Sequence, residues 1–442
     1  MTDPAINIAD VGCPVNQPDI GLEMYRLITE LYPICRSITG NGVRETLRII
    51  GTYIPVEVHN VPTGTQVFDW TVPREWNVTD AYVKNSRGER VIDFQVSNLH
   101  VVNYSIPVQK RMSLAELRPH LFTLPDYPDW VPYRTSYYNE SWGFCLSHKQ
   151  LMELKDEEYD VCIDSSLEPG FLTYGDYFLP GESSDEVLVS CHVCHPSLAN
   201  DNLSGIAMAL FLAKHLSNVK RKYSYRFLFI PGTIGSITWL SLNERETSRI
   251  KHGLVLASVG AGDKFTYKKS RQGNAEIDQA VLNVLRHSGS SYDILDFSPY
   301  GYDERQFCSP GFDLPVGCFM RTPNGSFPQY HTSADNLDFV QPSLLAESFA
   351  LSLAIVSLLD NNVIYANQNP KCEPQLGKRG LYRAMGGVEG GINELALLWI
   401  LNLSDGTHSL LDIAERSGYA FDTIKRAADT LLDHHLLKPM PQ

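Results

Sequence analysis

Apolar positions change their period several times along the chain, and each change marks a different kind of element. Over residues 19–54, Leu22, Tyr25, Leu27, Ile28 and Leu31, then Val43, Leu47, Ile50 and Ile54, recur at helical spacing, with Asn41-Gly42 between the two runs. From about 56 to 145 the pattern shortens to alternating stretches such as Val56-Glu-Val-His-Asn-Val61 and Val91-Ile-Asp-Phe-Gln-Val96, broken by Pro, Gly and Asn. That predicts a small β-rich unit. From 158 onward, short apolar strands (159–163, 186–190, 225–230, 253–258, 314–319) alternate with helical patterns (202–217, 234–246, 276–288, 341–361). Such alternation predicts an α/β fold, a three-layer sandwich with a mostly parallel sheet and helices on both faces.

After a Gly- and Pro-bearing segment from Asn367 to Gly391, residues 392–438 have the cadence of a three-helix winged helix. The expected domains are therefore 1–55 with 146–366 for the α/β unit, 56–145 for the inserted β unit and 385–442 for the winged helix. The tail has four Lys/Arg against seven Asp/Glu, a net of −3, and the whole chain carries −14. Phosphate binding needs a basic surface, so nucleic acid is not an expected partner and the tail is expected to dock or self-associate, with a DNA-binding regulator as the weaker alternative. No apolar run reaches the roughly 20 residues of a membrane span, and Met1-Thr-Asp-Pro-Ala lacks the features of a signal peptide. A cytoplasmic home is the expectation, and nine scattered cysteines agree with it.

The densest chemistry lies in Val187-Leu-Val-Ser-Cys-His-Val-Cys-His-Pro-Ser-Leu-Ala-Asn-Asp-Asn-Leu-Ser-Gly205. A strand delivers His192, and a turn opening a helix delivers Asp201; strand carboxyl ends are where such sheets bind ligands. Tyr330-His331-Thr332 supplies a second imidazole. Two imidazoles and one carboxylate leave a fourth tetrahedral position open, the pattern of a catalytic zinc site. His195 is a further ligand or only a neighbour. Cys191-His-Val-Cys194-His195 also spells a haem-attachment motif, but haem attachment requires export and no second Cys pair completes a thiolate site. Cys191 and Cys194 flank the ligand, and one is expected to face the core and the other to lie near the metal. Asp335 and Asp338 are candidates to orient an imidazole. Trp70, Trp76, Trp130, Tyr133, Tyr137, Tyr138 and Trp142 line a pocket or fill the core of the β unit.

The order His192, Asn200-Asp201-Asn202-Leu-Ser-Gly205, Tyr330-His331-Thr332 resembles the zinc aminopeptidase superfamily. Over roughly residues 20–438 the chain resembles more closely a bacterial aminopeptidase-like branch with an inserted N-terminal β domain and a C-terminal winged helix. The resemblance implies that Asp201 is the carboxylate that bridges two metals in bimetallic relatives. It also implies a general-base Glu and a metal-binding Glu after the strand ending at Ile230, and the closer branch is expected to read Pro-Glu-Thr-Ile-Gly-Ser there. This chain reads Pro231-Gly232-Thr233-Ile234-Gly235-Ser236. Thr233 removes one ligand and Ala257-Ser258 offers no carboxylate, so one Zn²⁺ is expected.

Gly232 takes the base's place and cannot accept a proton. Asp303 and Glu304, in Tyr300-Gly-Tyr-Asp-Glu-Arg-Gln306, are the candidate substitutes, unless that loop is a solvated turn. Arg321 is a candidate for a substrate carboxylate or a plain ion pair, while Tyr330 and Gln329 are candidates for contacts in the pocket. The expected function is hydrolysis of a small amide or short peptide, with a non-catalytic ligand-binding descendant as the alternative.

Overall fold

The structure, a computed structural model, describes residues 17–381 and 394–440. Met1-Thr-Asp-Pro-Ala, Cys13 and the expected winged-helix start at 385 lie outside them. The chain divides into two compact units, Asn16–Gly273 with Tyr292–Phe349, and Asn274–Ser291 with Ala350–Gln442.

The first unit is built on an eight-stranded sheet. Its order is Glu57–Pro62, Phe171–Leu179, Ser224–Ile230, Glu186–His192, Ile250–Leu256, Val316–Met320, Phe265–Lys268, Tyr292–Leu295. The four middle strands run parallel and the two at the Glu57 side join antiparallel. Burial explains the composition: every residue of Glu186–His192 is buried, as a strand covered on both faces requires. The helix Gly205–Leu216 is buried along almost its whole length. Gly205 is needed there, because a Cβ would meet Leu256 O at 2.4 Å. Arg226, inside a central strand, is compensated by Asp176 and Glu186, each at 2.8 Å.

A second sheet runs Arg90–Asp93, Glu75–Lys84, Glu158–Glu168, Val108–Ser113, entirely antiparallel. Two strands sit in different sheets from those expected. Glu57–Pro62, expected in the β-rich unit, pairs with Phe171–Leu179 at the edge of the large sheet. Residues 159–163, expected to open the α/β alternation, belong to Glu158–Glu168, which pairs on both sides within the second sheet.

The other unit contains the winged helix. Helices Glu394–Leu403, Leu410–Ser417 and Phe421–Asp433 accompany a small sheet of Asp405–Ser409, Ile364–Asn367 and Leu437–Pro439. Ser409 caps its helix in a reciprocal box with Asp412, and Gly418 ends it at φ 75°. The helix Glu276–His287 belongs to the same unit, where Asn283 bonds Glu415 and the backbone of Phe421.

Pro342–Asn361 corrects one expectation. By length and composition it is apolar enough to cross a membrane, although just over half of its most apolar window is buried inside the protein.

Candidate metal centre and adjoining cavity

Asp201 is fully buried and three imidazoles surround it. His192 Nε2 lies 2.9 Å from Oδ1, His195 Nδ1 3.4 Å from Oδ2, and His331 Nε2 3.2 Å from Oδ2. The local sequence explains the convergence. The strand Glu186–His192 ends with His192 at the sheet rim, and the Ala199–Ser204 turn folds back over it. Asn200 Oδ1 accepts from Gly260 N at 2.9 Å, Asn202 Oδ1 accepts from Ser258 N at 3.1 Å, and both carboxylate oxygens of Asp335 accept from the backbone of Asn200 and Asp201. Asp335 therefore clamps the turn and does not orient an imidazole. Asp338 is exposed.

His331 arrives from the far end of the unit. Its carbonyl accepts from Tyr133 N at 2.8 Å, and Pro132 and Thr332 form a bridge beside it. His331 and Ser258 hold φ of 56° and 50°. Left-handed backbone costs a non-glycine residue about 1–3 kcal/mol and marks places where geometry outranks comfort.

The electrostatics follow from this packing. Burial opposes ionisation of Asp201, yet His195, His192 and His331 outweigh it and hold the carboxylate well below its usual range. Burial also disfavours charge on His195, but Asp201 prevails and raises it. At His192 and His331 burial wins and favours the neutral ring, the form that ligates metals.

A divalent cation fits on three observations. His192, His195 and Asp201 offer ligand atoms all within 4.8 Å of one another. His195 Nδ1 donates to the Asp201 carbonyl at 3.0 Å, which leaves its Nε2 with a lone pair. Asp201 Oδ2 and His331 Nε2 are buried and paired at 3.2 Å, and neither atom reaches full hydrogen-bond geometry with any described residue. Atoms bound to one ion at about 2.0–2.2 Å stand somewhat over 3 Å apart; the 2.9 Å and 3.2 Å from Asp201 to His192 Nε2 and His331 Nε2 are close to that, whereas the His192, His195 and Asp201 group spreads up to 4.8 Å.

Beside this cluster opens a cavity of about 310 Å³ lined by His192, His195, Cys194, Gly232, Thr233, Asp303 and Tyr330 among others. Asp303 faces Gly232 directly: a Cβ built on the glycine would lie 3.2 Å from Asp303 Oδ2 and from His192 Cβ. Ser236 donates to Asp303 Oδ1 at 2.7 Å, and Oδ2 has no hydrogen-bond partner among the described residues. Burial pushes the carboxyl up to about 7.

The other expected residues are placed differently. Glu304 is buried away from the cavity lining and paired with Lys268 Nζ at 2.7 Å. Arg321 is committed to Ser348 Oγ, Gly262 O and Glu347. It has no reach to the cavity. Gln329 uses its carbonyl to receive Thr332, and Tyr330 stacks on His331 with centroids 3.9 Å apart. Of the aromatics, Trp70, Tyr137 and Tyr138 line the cavity, Tyr133 packs edge-on against His195 and His331, and Trp76 is core. Cys191 is fully buried, while Cys194 lines the cavity with Sγ 3.7 Å from Gly232 O.

Tyr302 was missed in the sequence. Its hydroxyl donates to Asp201 Oδ1 at 3.0 Å. The only signal was its place beside Asp303, where the carboxylates drew attention first.

Residues 25–362 match the family described as Domain of unknown function (DUF4910). The chain belongs to that family. Residues 363–439 of this DUF4910 chain match a winged helix-turn-helix. A Clostridium acetobutylicum relative, named provisionally as a polysaccharide biosynthesis protein with aminopeptidase-like domain, is 56% identical over 424 residues, 96% of this chain and 98% of its own length. A crystal structure from C. acetobutylicum, provisionally called a peptidase, matches with a TM-score of 0.92 at 55% identity over 96% of this chain and 98% of that one. A zinc aminopeptidase from Bacillus subtilis matches with a TM-score of 0.55 at 14% identity, over 76% of this chain and 94% of its own. A peptidase M28 precursor from Shewanella amazonensis matches with 0.52 at 13%, over 78% and 96%. The DUF4910 chain thus shares the aminopeptidase-like α/β fold, followed by a winged helix.

Proposed function

We propose that the protein is a zinc-dependent hydrolase of a small amide or peptide, holding one ion through His192, Asp201 and His331, with His195 as an additional donor. The observation that carries this reading is the convergence of three imidazoles on the buried Asp201 carboxylate, with Oδ2 and His331 Nε2 facing one another at 3.2 Å short of full hydrogen-bond geometry among the described residues. Zinc bound there would polarise a carbonyl and bring the pKa of water near 7.

The remaining work falls to the chain's own groups. Asp303 stands over Gly232, with Ser236 fixing one oxygen and the other turned free. With a pKa near the operating pH it can take a proton from water and return it to a leaving amine, the role vacated by the missing glutamate. Tyr302 steadies Asp201 from the side opposite His331, on Oδ1 rather than Oδ2.

The test is hydrolysis of an aminoacyl p-nitroanilide by protein stripped with a chelator, then by the same protein with one equivalent of zinc restored. Turnover only after zinc supports the reading; turnover unaffected by stripping sinks it. A second reading, a ligand-binding descendant without turnover, draws on Gly232 and Thr233 together, because both expected glutamates are gone at one turn. Zinc bound with no turnover on any amide would favour it.

A further inference from the structure

The arginines packed around this site are committed, with one exception. Arg36 donates to the carbonyls of His195, Leu31 and Pro196. Arg321 is held by Ser348, Gly262 and Glu347. Arg305 lines the cavity, its Nε is buried with no hydrogen-bond partner among the described residues, and its charge is felt by Asp303 without a salt bridge between them. A half-buried guanidinium without an acceptor is costly, and its planar fork matches a carboxylate or phosphate.

The cavity rim adds a second observation. Trp70, Tyr138 and Tyr300 line it while remaining 46%, 52% and 71% exposed. Trp70 and Tyr138 stand with ring centroids 5.5 Å apart, tilted by 58°. Exposed aromatic faces around a concave site offer flat area to a ring whose edges stay hydrated. A sugar suits that arrangement, with its C–H face on an aromatic and its hydroxyls toward water.

We propose that Arg305 is a specificity determinant that binds an anionic group, a carboxylate or a phosphate, carried by a sugar-like substrate lying on the rim aromatics. This deepens the hydrolase reading and rests on that cavity being its substrate site. The anion is recognised by a bidentate pair at Arg305, in the short helix Glu304–Phe307 that Asp303 opens, so binding the charge also sets the distance from the substrate's reacting amide to Asp303.

The experiment is calorimetric titration of the full chain, zinc-stripped so that no anion can bind through the metal, with glucuronate, glucose 6-phosphate and glucose. At least one charged sugar binds about tenfold or more tighter than glucose, the worth of one charge-assisted hydrogen bond. Arg305→Ala erases that preference, Arg305→Lys retains part of it, and Trp70→Ala weakens charged and neutral sugars alike. Whether uronate or phosphate wins identifies the source of the anion. Equal binding of all three, no binding, or a preference that survives in Arg305→Ala overturns the proposal. Should Arg305→Ala fail to fold, as read by circular dichroism, Arg305→Gln carries the same comparison. Because the titration requires neither zinc nor turnover, its failure is distinct from failure of the hydrolase reading, which zinc-dependent hydrolysis tests.

Discussion

Two halves of one site are treated oppositely. Around Asp201 the chain keeps three imidazoles, a tyrosine hydroxyl and a carboxylate clamp on the backbone, all at hydrogen-bonding or near-ligating distance. At the neighbouring turn, Gly232 and Thr233 present no carboxylate at all. Yet the second half is not empty of acid, because Asp303 enters from another loop and stands beside the position a glutamate Cβ would occupy. A carboxylate can reach the same point in space from a different segment of the chain.

The sharpest test of this contrast is Asp201→Asn. Loss of the carboxylate charge at the centre of the three imidazoles is expected to abolish zinc retention after dialysis, measured by elemental analysis, while the isosteric amide preserves the fold. Full retention of zinc would remove the histidine half from the account. Next in size, Asp303→Asn is expected to lower kcat about 10²–10⁴-fold, the range of general acid/base contributions, with zinc content unchanged. In that background, Gly232→Glu should recover about tenfold or more of the loss; the glycine's φ is not left-handed, and its neighbours need to yield only a few tenths of an ångström. No recovery would separate the two positions functionally.

The smallest effect is a pH slope in the zinc-stripped protein. Asp303 rises from its usual 3.8 to about 7 on folding because it is buried, so the folded state holds a proton that the unfolded state has lost. The contribution of this group to stability is then greatest below about pH 4 and is lost as pH climbs through 7. Asp303→Asn should flatten this part of the urea-midpoint profile against pH.

What could be read along the chain was whatever is local. The continuous apolar run before His192 and the polar turn at Asn200–Asn202 announced a strand and a helix start within twenty residues, and Tyr330-His331-Thr332 pointed to the imidazole that the fold brings to Asp201. Edge strands were harder. In Glu57–Pro62 most residues are exposed and only Val61 is buried, so its pattern looked like that of a small β unit rather than the rim of a large sheet. Glu158–Glu168 alternates because one of its faces is open, a feature it shares with its partners in the second sheet and not with the doubly covered central strands. The site's misplacements have the same origin. Arg321 is answered by Glu347 and Ser348, and Glu304 by Lys268, 36 positions away. Whether a charge is satisfied is decided by such distant partners, and spacing along the chain does not encode them.

The bridge between Pro132 and Thr332, with Tyr133 N bonded to His331 O, ties the aromatic segment to the last of the imidazoles. Anyone trimming this protein to a minimal scaffold, or transplanting the large sheet into a new host, should leave residues 131–133 in place. They are a strut under the third histidine, and pruning them as ornament would let that ring drift.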